Sequence, residues 1–180
     1  MRIIAGKFRG KRLFSPEGEG TRPTSDKVRE SVFGILASRG EIGGRVLDLF
    51  AGTGALGLEA LSRGADTAIF VDKSPAAAKI IRKNIALTGA DAEVYNTDWK
   101  VAVRKLTGRF DLIFLDPPYA LGAETDVVAA IDERDLLAEG GVIVVEHDAR
   151  NDFATAESFA ADRRTYRGTS VTFLRRREEI

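Results

Sequence analysis

The chain contains no cysteine and a single histidine, His147. A disulfide framework, a cysteine-ligated zinc or iron–sulfur centre and a thiol nucleophile are therefore excluded, and no histidine pair is left for a metal. No metal is expected. Long apolar runs are also missing: none approaches the roughly 20 residues that span a bilayer. Met1 to Leu13 alternates charge with single apolar residues and has no signal-peptide core. Net charge is absent too, with 27 basic and 27 acidic side chains. What remains is ordinary for a globular chain of 180 residues, 44% hydrophobic and 30% charged. A chain of this length buries about 70% of its unfolded surface as one domain. The expectation is a soluble, cytoplasmic, monomeric single domain with no membrane partner.

Neutrality hides an asymmetry. Residues 1–29 carry eight basic side chains (Arg2, Lys7, Arg9, Lys11, Arg12, Arg22, Lys27, Arg29) against three acids. Asp162 to Ile180 carries six arginines against three acids. Basic ends on a neutral chain can form a one-sided positive face, the footprint of a polyanion binder, or can simply be solvated.

Arg2 to Phe14, with Gly6 and Gly10 between short apolar runs, has the composition of a hairpin. Glu17-Gly18-Glu19-Gly20 reads as a loop, and Val28, Val32, Ile35 and Leu36 give helical spacing from Thr24 to the glycines beyond Arg39. From Gly44 strand and helix alternate. Strands are expected at Arg45–Phe50, Thr67–Val71, Ala92–Tyr95, Phe110–Leu115 and Val142–Val145, with helices between them, which implies a parallel sheet covered on both faces. Arg163–Arg167 and Ser170–Leu174 flank Gly168-Thr169 as an antiparallel hairpin at the sheet edge. The chain thus divides into a basic hairpin and loop (1–20), a flap and helix (21–40) and a Rossmann-like core (44–180).

Asp48-Leu49-Phe50-Ala51-Gly52-Thr53-Gly54-Ala55-Leu56-Gly57 follows the first strand of this core. Gly52, Gly54 and Gly57 satisfy G-x-G-x-x-G, and Asp72 stands 20 residues after Gly52 at the end of the next strand. Such glycines allow a tight turn and close backbone approach to a nucleotide-type ligand, while the acid accepts from ribose hydroxyls. The bland alternative is a plain strand-to-helix turn with Asp72 as a helix cap. The fingerprint fits a nicotinamide dinucleotide as well as S-adenosylmethionine. Two residues favour the latter: Asp48 suits a cationic ligand better than a pyrophosphate, and Asp98 is placed to accept from an adenine amino group. Asp98 is equally well read as a cap for the helix beginning at Trp99.

The fourth strand ends in Asp116-Pro117-Pro118-Tyr119. Two prolines fix their own φ and extend the residues before them, so nearby carbonyls and the Asp116 carboxylate form a rigid set of acceptors. A nucleobase amine is a poor nucleophile because its lone pair is delocalised into the ring. Acceptors on its N–H groups favour a pyramidal nitrogen and stabilise charge developing there. Tyr119 offers a face on which a base can stack.

Together with Thr21-Arg-Pro-Thr-Ser-Asp-Lys-Val-Arg-Glu30, these motifs resemble the RsmD family of bacterial 16S ribosomal RNA guanine-N2 methyltransferases, over nearly the whole chain. The resemblance implies an α/β class I methyltransferase fold, Rossmann-like, with a seven-stranded, mostly parallel sheet, an antiparallel last strand and an N-terminal β-hairpin. It implies S-adenosyl-L-methionine as donor and a guanine of 16S rRNA, free or in a small ribosomal subunit, as acceptor. Asp48, Ala51, Gly52, Thr53 and Gly54 would hold the methionine part, Asp72 and Lys73 the ribose, and Asp98 and Trp99 the adenine. Asp116, Pro117, Pro118 and Tyr119 would meet the target base, with Asp116 also touching the cofactor. Arg2, Lys7, Arg9, Lys11, Arg12 and Arg22 would contact RNA, and Arg22 or Arg29 would reach phosphate or the cofactor carboxylate. A DNA adenine-N6 methyltransferase shares the Asp-Pro-Pro-Tyr chemistry, but the chain shows no obvious target-recognition domain. A nicotinamide-dependent oxidoreductase shares the glycine loop, but no hydride-transfer constellation is evident. His147 is expected to be structural or solvent-facing, Trp99 to pack, and Arg175-Arg176-Arg177 to be a solvated end.

Overall fold

The structure, a computed structural model, describes residues 1–17 and 23–178. Its elements are α1 (Pro23–Ser38), β1 (Arg45–Asp48), α2 (Ala55–Ser62), β2 (Thr67–Asp72), α3 (Pro75–Thr88), β3 (Ala92–Asn96), α4 (Trp99–Lys105), β4 (Phe110–Leu115), α5 (Glu124–Glu133), β5 (Leu137–Asp148), β6 (Phe159–Tyr166) and β7 (Thr169–Arg176). One turn of 3₁₀ helix covers Tyr119–Leu121. The seven strands form one sheet in the order β3-β2-β1-β4-β5-β7-β6. The first five strands are parallel, and β7 runs antiparallel to both β5 and β6.

The central strands are apolar on both faces because both are covered. Val46, Leu112, Phe114, Val142 and Val144 pack with Phe33, Leu36, Leu58 and Phe70. Their neighbours Leu47, Ile113, Leu115, Ile143 and Val145 face the opposite layer with Val103, Val127 and Ile131. Strand order reverses between β1 and β4, and in open parallel sheets ligands bind beyond the strand ends at such a point. Asp48 and Asp72 end β1 and β2. Asp116 and Glu146 each follow the paired residues Leu115 and Val145 on adjacent strands.

Three elements differ from the sequence expectation. β6 begins at Phe159, four residues before Arg163, because Phe159 to Asp162 also pair with β7. β5 is far longer than Val142–Val145, because Leu137 already pairs with Phe110 before a register shift. Gly140, at φ 72°, lies within that irregular stretch, where the glycines interrupt the apolar pattern. The N-terminal hairpin is a turn-closed arm that, among the described residues, has one bridge, Arg2–Arg12. Three backbone bonds cross the arm, from Ile3 N to Lys11 O (3.0 Å), Gly10 N to Ile3 O (2.9 Å) and Leu13 N to Met1 O (2.9 Å), and α2 satisfies further groups. The buried Glu59 carboxylate accepts from Ile4 N (2.9 Å) and Ala5 N (3.1 Å). Ser62 accepts from Lys7 N through its carbonyl (2.8 Å) and from Phe8 N through its hydroxyl (3.0 Å). Gly6, at φ 88°, passes so close that a Cβ there would lie 2.0 Å from the Ser62 carbonyl oxygen.

Candidate active site

The glycine loop is sewn to β2. Ala51 N donates to Val71 O (3.0 Å) and Gly52 N to Asp72 Oδ2 (2.9 Å). Gly52 and Gly54 take φ of 58° and 82°, a left-handed region that glycine enters without a Cβ penalty. Gly57 serves packing: a Cβ there would meet the Phe70 ring at 2.4 Å. Asp72 also accepts from Ser74 N (2.9 Å). The cap of α3 is Ser74, not Asp72.

Beyond the strand ends lies a cavity of about 810 Å³, within the range of small-molecule sites. Of the candidate site residues, Ala51, Gly52, Thr53, Asp72, Lys73, Asp98, Trp99, Asp116 and Pro118 line it. Asp98 lines the cavity and caps α4 through Lys100 N (2.9 Å). Trp99 is half-buried on the wall and packs against the core.

Four expected residues stand outside this lining. Asp48 lies buried behind the loop, where its Oδ2 accepts from Gly57 N (3.1 Å) and its Oδ1 has no hydrogen-bond partner. Burial pushes its carboxyl up to about 7, against the Gly57 hydrogen bond that favours the charge, with the Asp72 charge adding to the rise. Gly54 shapes the turn into α2 and Pro117 is buried. Tyr119 is exposed, its hydroxyl hydrogen-bonded to Thr169 Oγ1 (2.9 Å), and it borders a smaller neighbouring cavity. Arg2, Lys7, Arg9, Lys11 and Arg12 are all exposed on the arm, while Arg22 lies outside the described residues.

Glu146 is the residue that sequence reasoning missed. It lines the cavity with Asp116, and among the described residues neither carboxyl has a hydrogen-bond partner. Burial raises both; the charges of Glu146 and then Asp48 raise Asp116 further. Its only sequence signal was its position at the end of a central strand.

Arg29 is no surface arginine. It is 5% exposed on the cavity wall, and its Nη2 donates to Arg2 O (2.6 Å) and pairs with Asp26 at 3.4 Å. Among the described residues its Nε is buried without a hydrogen-bond partner, and burial lowers its pKa. His147 is structural. Nδ1 contacts Asn151 O (3.0 Å), which can only accept, so Nδ1 carries the proton and Nε2 accepts from Thr172 Oγ1 (2.9 Å). The C-terminal arginines are tied down, Arg175 on Glu41 at 2.5 and 2.7 Å and Arg176 on Asp132.

A reversed parallel sheet, a glycine loop answered by Asp72 and an Asp-Pro-Pro-Tyr turn at the next strand end together define a class I S-adenosylmethionine-dependent methyltransferase. Residues 1–175 match the family described as conserved hypothetical protein 95. The chain belongs to that family, the RsmD family of the sequence resemblance. Ribosomal RNA small subunit methyltransferase D of Escherichia coli is 36% identical over 156 residues, 86% of this chain and 78% of that one. The structure of the Escherichia coli protein yhhF matches with a TM-score of 0.87 at 31% identity, over 98% of this chain and 97% of that one. A T. thermophilus 16S rRNA N2 methyltransferase (RsmC), solved with AdoMet and guanosine, matches at TM-score 0.71 and 27% identity, over 89% of this chain and 45% of that one. The donor is S-adenosylmethionine, and the nicotinamide reading falls. No helix among the described residues is long and apolar enough to cross a membrane.

Proposed function

We propose that the chain methylates the exocyclic N2 amine of a guanine in 16S ribosomal RNA, free or within a small ribosomal subunit. It works in the cytoplasm as a monomer and as one methyltransferase domain. The observation that carries this reading is the pair of unbonded carboxyls, Asp116 and Glu146, at the ends of adjacent strands on the wall of the cavity.

The residues present fit the donor. S-adenosylmethionine supplies an activated methyl group. Asp72 spends two lone pairs on Gly52 N and Ser74 N, and a carboxylate has about four, so acceptors remain for ribose hydroxyls. Asp98 has a second oxygen for an adenine amine, and the unpaired Nε of Arg29 is a donor for a carboxylate. Above about pH 7, where Asp48 ionises, its Oδ1 adds negative potential behind the loop, suited to a cationic ligand.

At the acceptor end, Asp116 and the turn carbonyls hold the N–H groups of the base amine and stabilise the positive charge that forms there. A carboxyl with raised proton affinity is a competent sink for the proton that the methylated amine sheds. The guanosine bound to the T. thermophilus relative supports guanine over adenine. The exposed arm cations supply phosphate contacts, which position without reading sequence.

The test is transfer of radiolabelled methyl groups to small subunits from cells lacking the enzyme, followed by nucleoside digestion. Label in N2-methylguanosine is expected with the native chain. Asp116→Ala should give none while still binding S-adenosylmethionine. Label in N6-methyladenosine overturns the base assignment, and no label overturns the rRNA substrate.

A further inference from the structure

Phe14 is the most exposed large apolar side chain among the described residues, at 51%. Single exposed apolar residues are common, but this one is held and framed. Its backbone N–H donates to Asn84 Oδ1 at 2.7 Å, and its carbonyl accepts from Asn84 Nδ2 at 3.0 Å. Asn84 itself is fully buried in α3. The same Nδ2 donates to the carbonyl of Thr53 at 2.8 Å, and Thr53 lines the cofactor cavity. One amide group therefore fixes Phe14 directly beside the active-site wall.

The frame is cationic. The Lys83 ammonium stands 5.7 Å from the centre of the Phe14 ring. Lys11 Nζ donates to Leu87 O at 3.0 Å, tying the arm to the end of α3. Lys79, Lys83 and Leu87 recur every four residues, so they form one row on the helix, and all three are exposed. Residues 1–14 and α3 together contain eight lysines and arginines and no acid. A flat aromatic face on a pinned backbone inside such a field matches a single-stranded polyanion that carries stackable rings. An apolar protein partner has no use for the surrounding charge.

We propose that Phe14 is a stacking platform for an unpaired base of the substrate RNA, and that α3 joins the arm as the second half of the RNA-binding face. The inference rests on the proposed RNA substrate and extends its contact surface beyond the arm. Stacking is largely independent of salt, whereas each phosphate contact adds to the salt dependence of binding, so the two roles separate.

The experiment measures binding of the full chain to protein-free 16S rRNA transcript across a salt series, with S-adenosylmethionine affinity as the folding control. Phe14→Ala should weaken RNA binding roughly 5- to 150-fold at every salt concentration, and Phe14→Trp should restore it. Lys83→Ala should lower the salt slope by about 0.7–0.9. All three should bind S-adenosylmethionine as the native chain does. Native-like RNA binding by Phe14→Ala overturns the platform. A Phe14→Ala defect on whole subunits but not on protein-free RNA assigns the side chain to a ribosomal protein, which also overturns it. A native chain that neither binds nor methylates 16S rRNA overturns the proposed substrate itself.

Discussion

Asp48→Asn should make the protein progressively more stable than the native chain as pH rises from about 4 to about 7, with little difference below about pH 4. Asp48 is 1% exposed, and its carboxyl is pushed from the ordinary 3.8 to about 7, chiefly by burial. The folded state thus holds a proton that the unfolded chain releases, and stability falls wherever the folded state binds more protons. This group's stabilisation is fully present below about pH 4 and is lost as pH rises through about 7. At about 1.4 kcal/mol per tenfold change in protonation, the loss amounts to at most about 4 kcal/mol. Asparagine keeps the acceptor that Gly57 N uses and never carries the buried charge. Urea denaturation of both proteins from about pH 5 to about pH 8 checks this. Asp116 and Glu146 titrate in both proteins, so the difference between the two curves reports mainly Asp48. Relative to equality below about pH 4, the variant should already exceed the native chain by roughly 1.6 kcal/mol near pH 5 and by about 4 kcal/mol near pH 8, so the gap widens by about 2.6 kcal/mol across the range. A difference that stays constant across the range would refute the reasoning, because the carboxylate would then be ionised throughout and held by the Gly57 hydrogen bond. The variant should also bind S-adenosylmethionine more weakly, the usual cost of removing a buried functional charge.

Glu146→Gln removes the negative charge that acts most strongly on Asp116, which should then ionise at lower pH; the acid limb of the kcat profile should move down, and an unmoved limb would separate the two carboxyls. Asn84→Ala strips three hydrogen bonds that join arm and glycine loop. It should cost about 2–3 kcal/mol in urea denaturation and speed proteolysis within residues 1–17. Gly57→Ala would place a methyl group 2.4 Å from the fully buried Phe70 ring. Overpacking of this kind costs about 1–3 kcal/mol, and an unchanged midpoint in urea would show that the ring can move away.

The secondary structure of the core was largely legible because its signals are local. Apolar runs such as Phe110–Leu115, punctuated by glycine and proline, set the strands, and the observed bounds of β2, β3 and β4 fall within a residue of those expected. Local chemistry also carried half of the site: the glycine loop with Asp72 one strand later, and Asp116 before two prolines, all need nothing beyond neighbours in the chain. β5 was cut short because Gly140 and Gly141 break its pattern, although the backbone resumes pairing on both sides of them.

What the sequence by itself determined was this order of strands and turns, hence the family and the edge where a ligand must lie. Tertiary structure alone decided which side chains meet there. Glu146 stands beside Asp116 because β5 pairs with β4, a contact 30 residues apart that no local period encodes. Arg29 and Glu59 are both buried because the N-terminal arm folds over them and uses them as hydrogen-bond partners, a contact that no local pattern encodes. Asp48, expected to face the cofactor, was drawn behind the loop by the amide of Gly57. Sequence patterns report which residues prefer burial, whereas the charge state and reach of a polar group depend on what the rest of the chain packs against it.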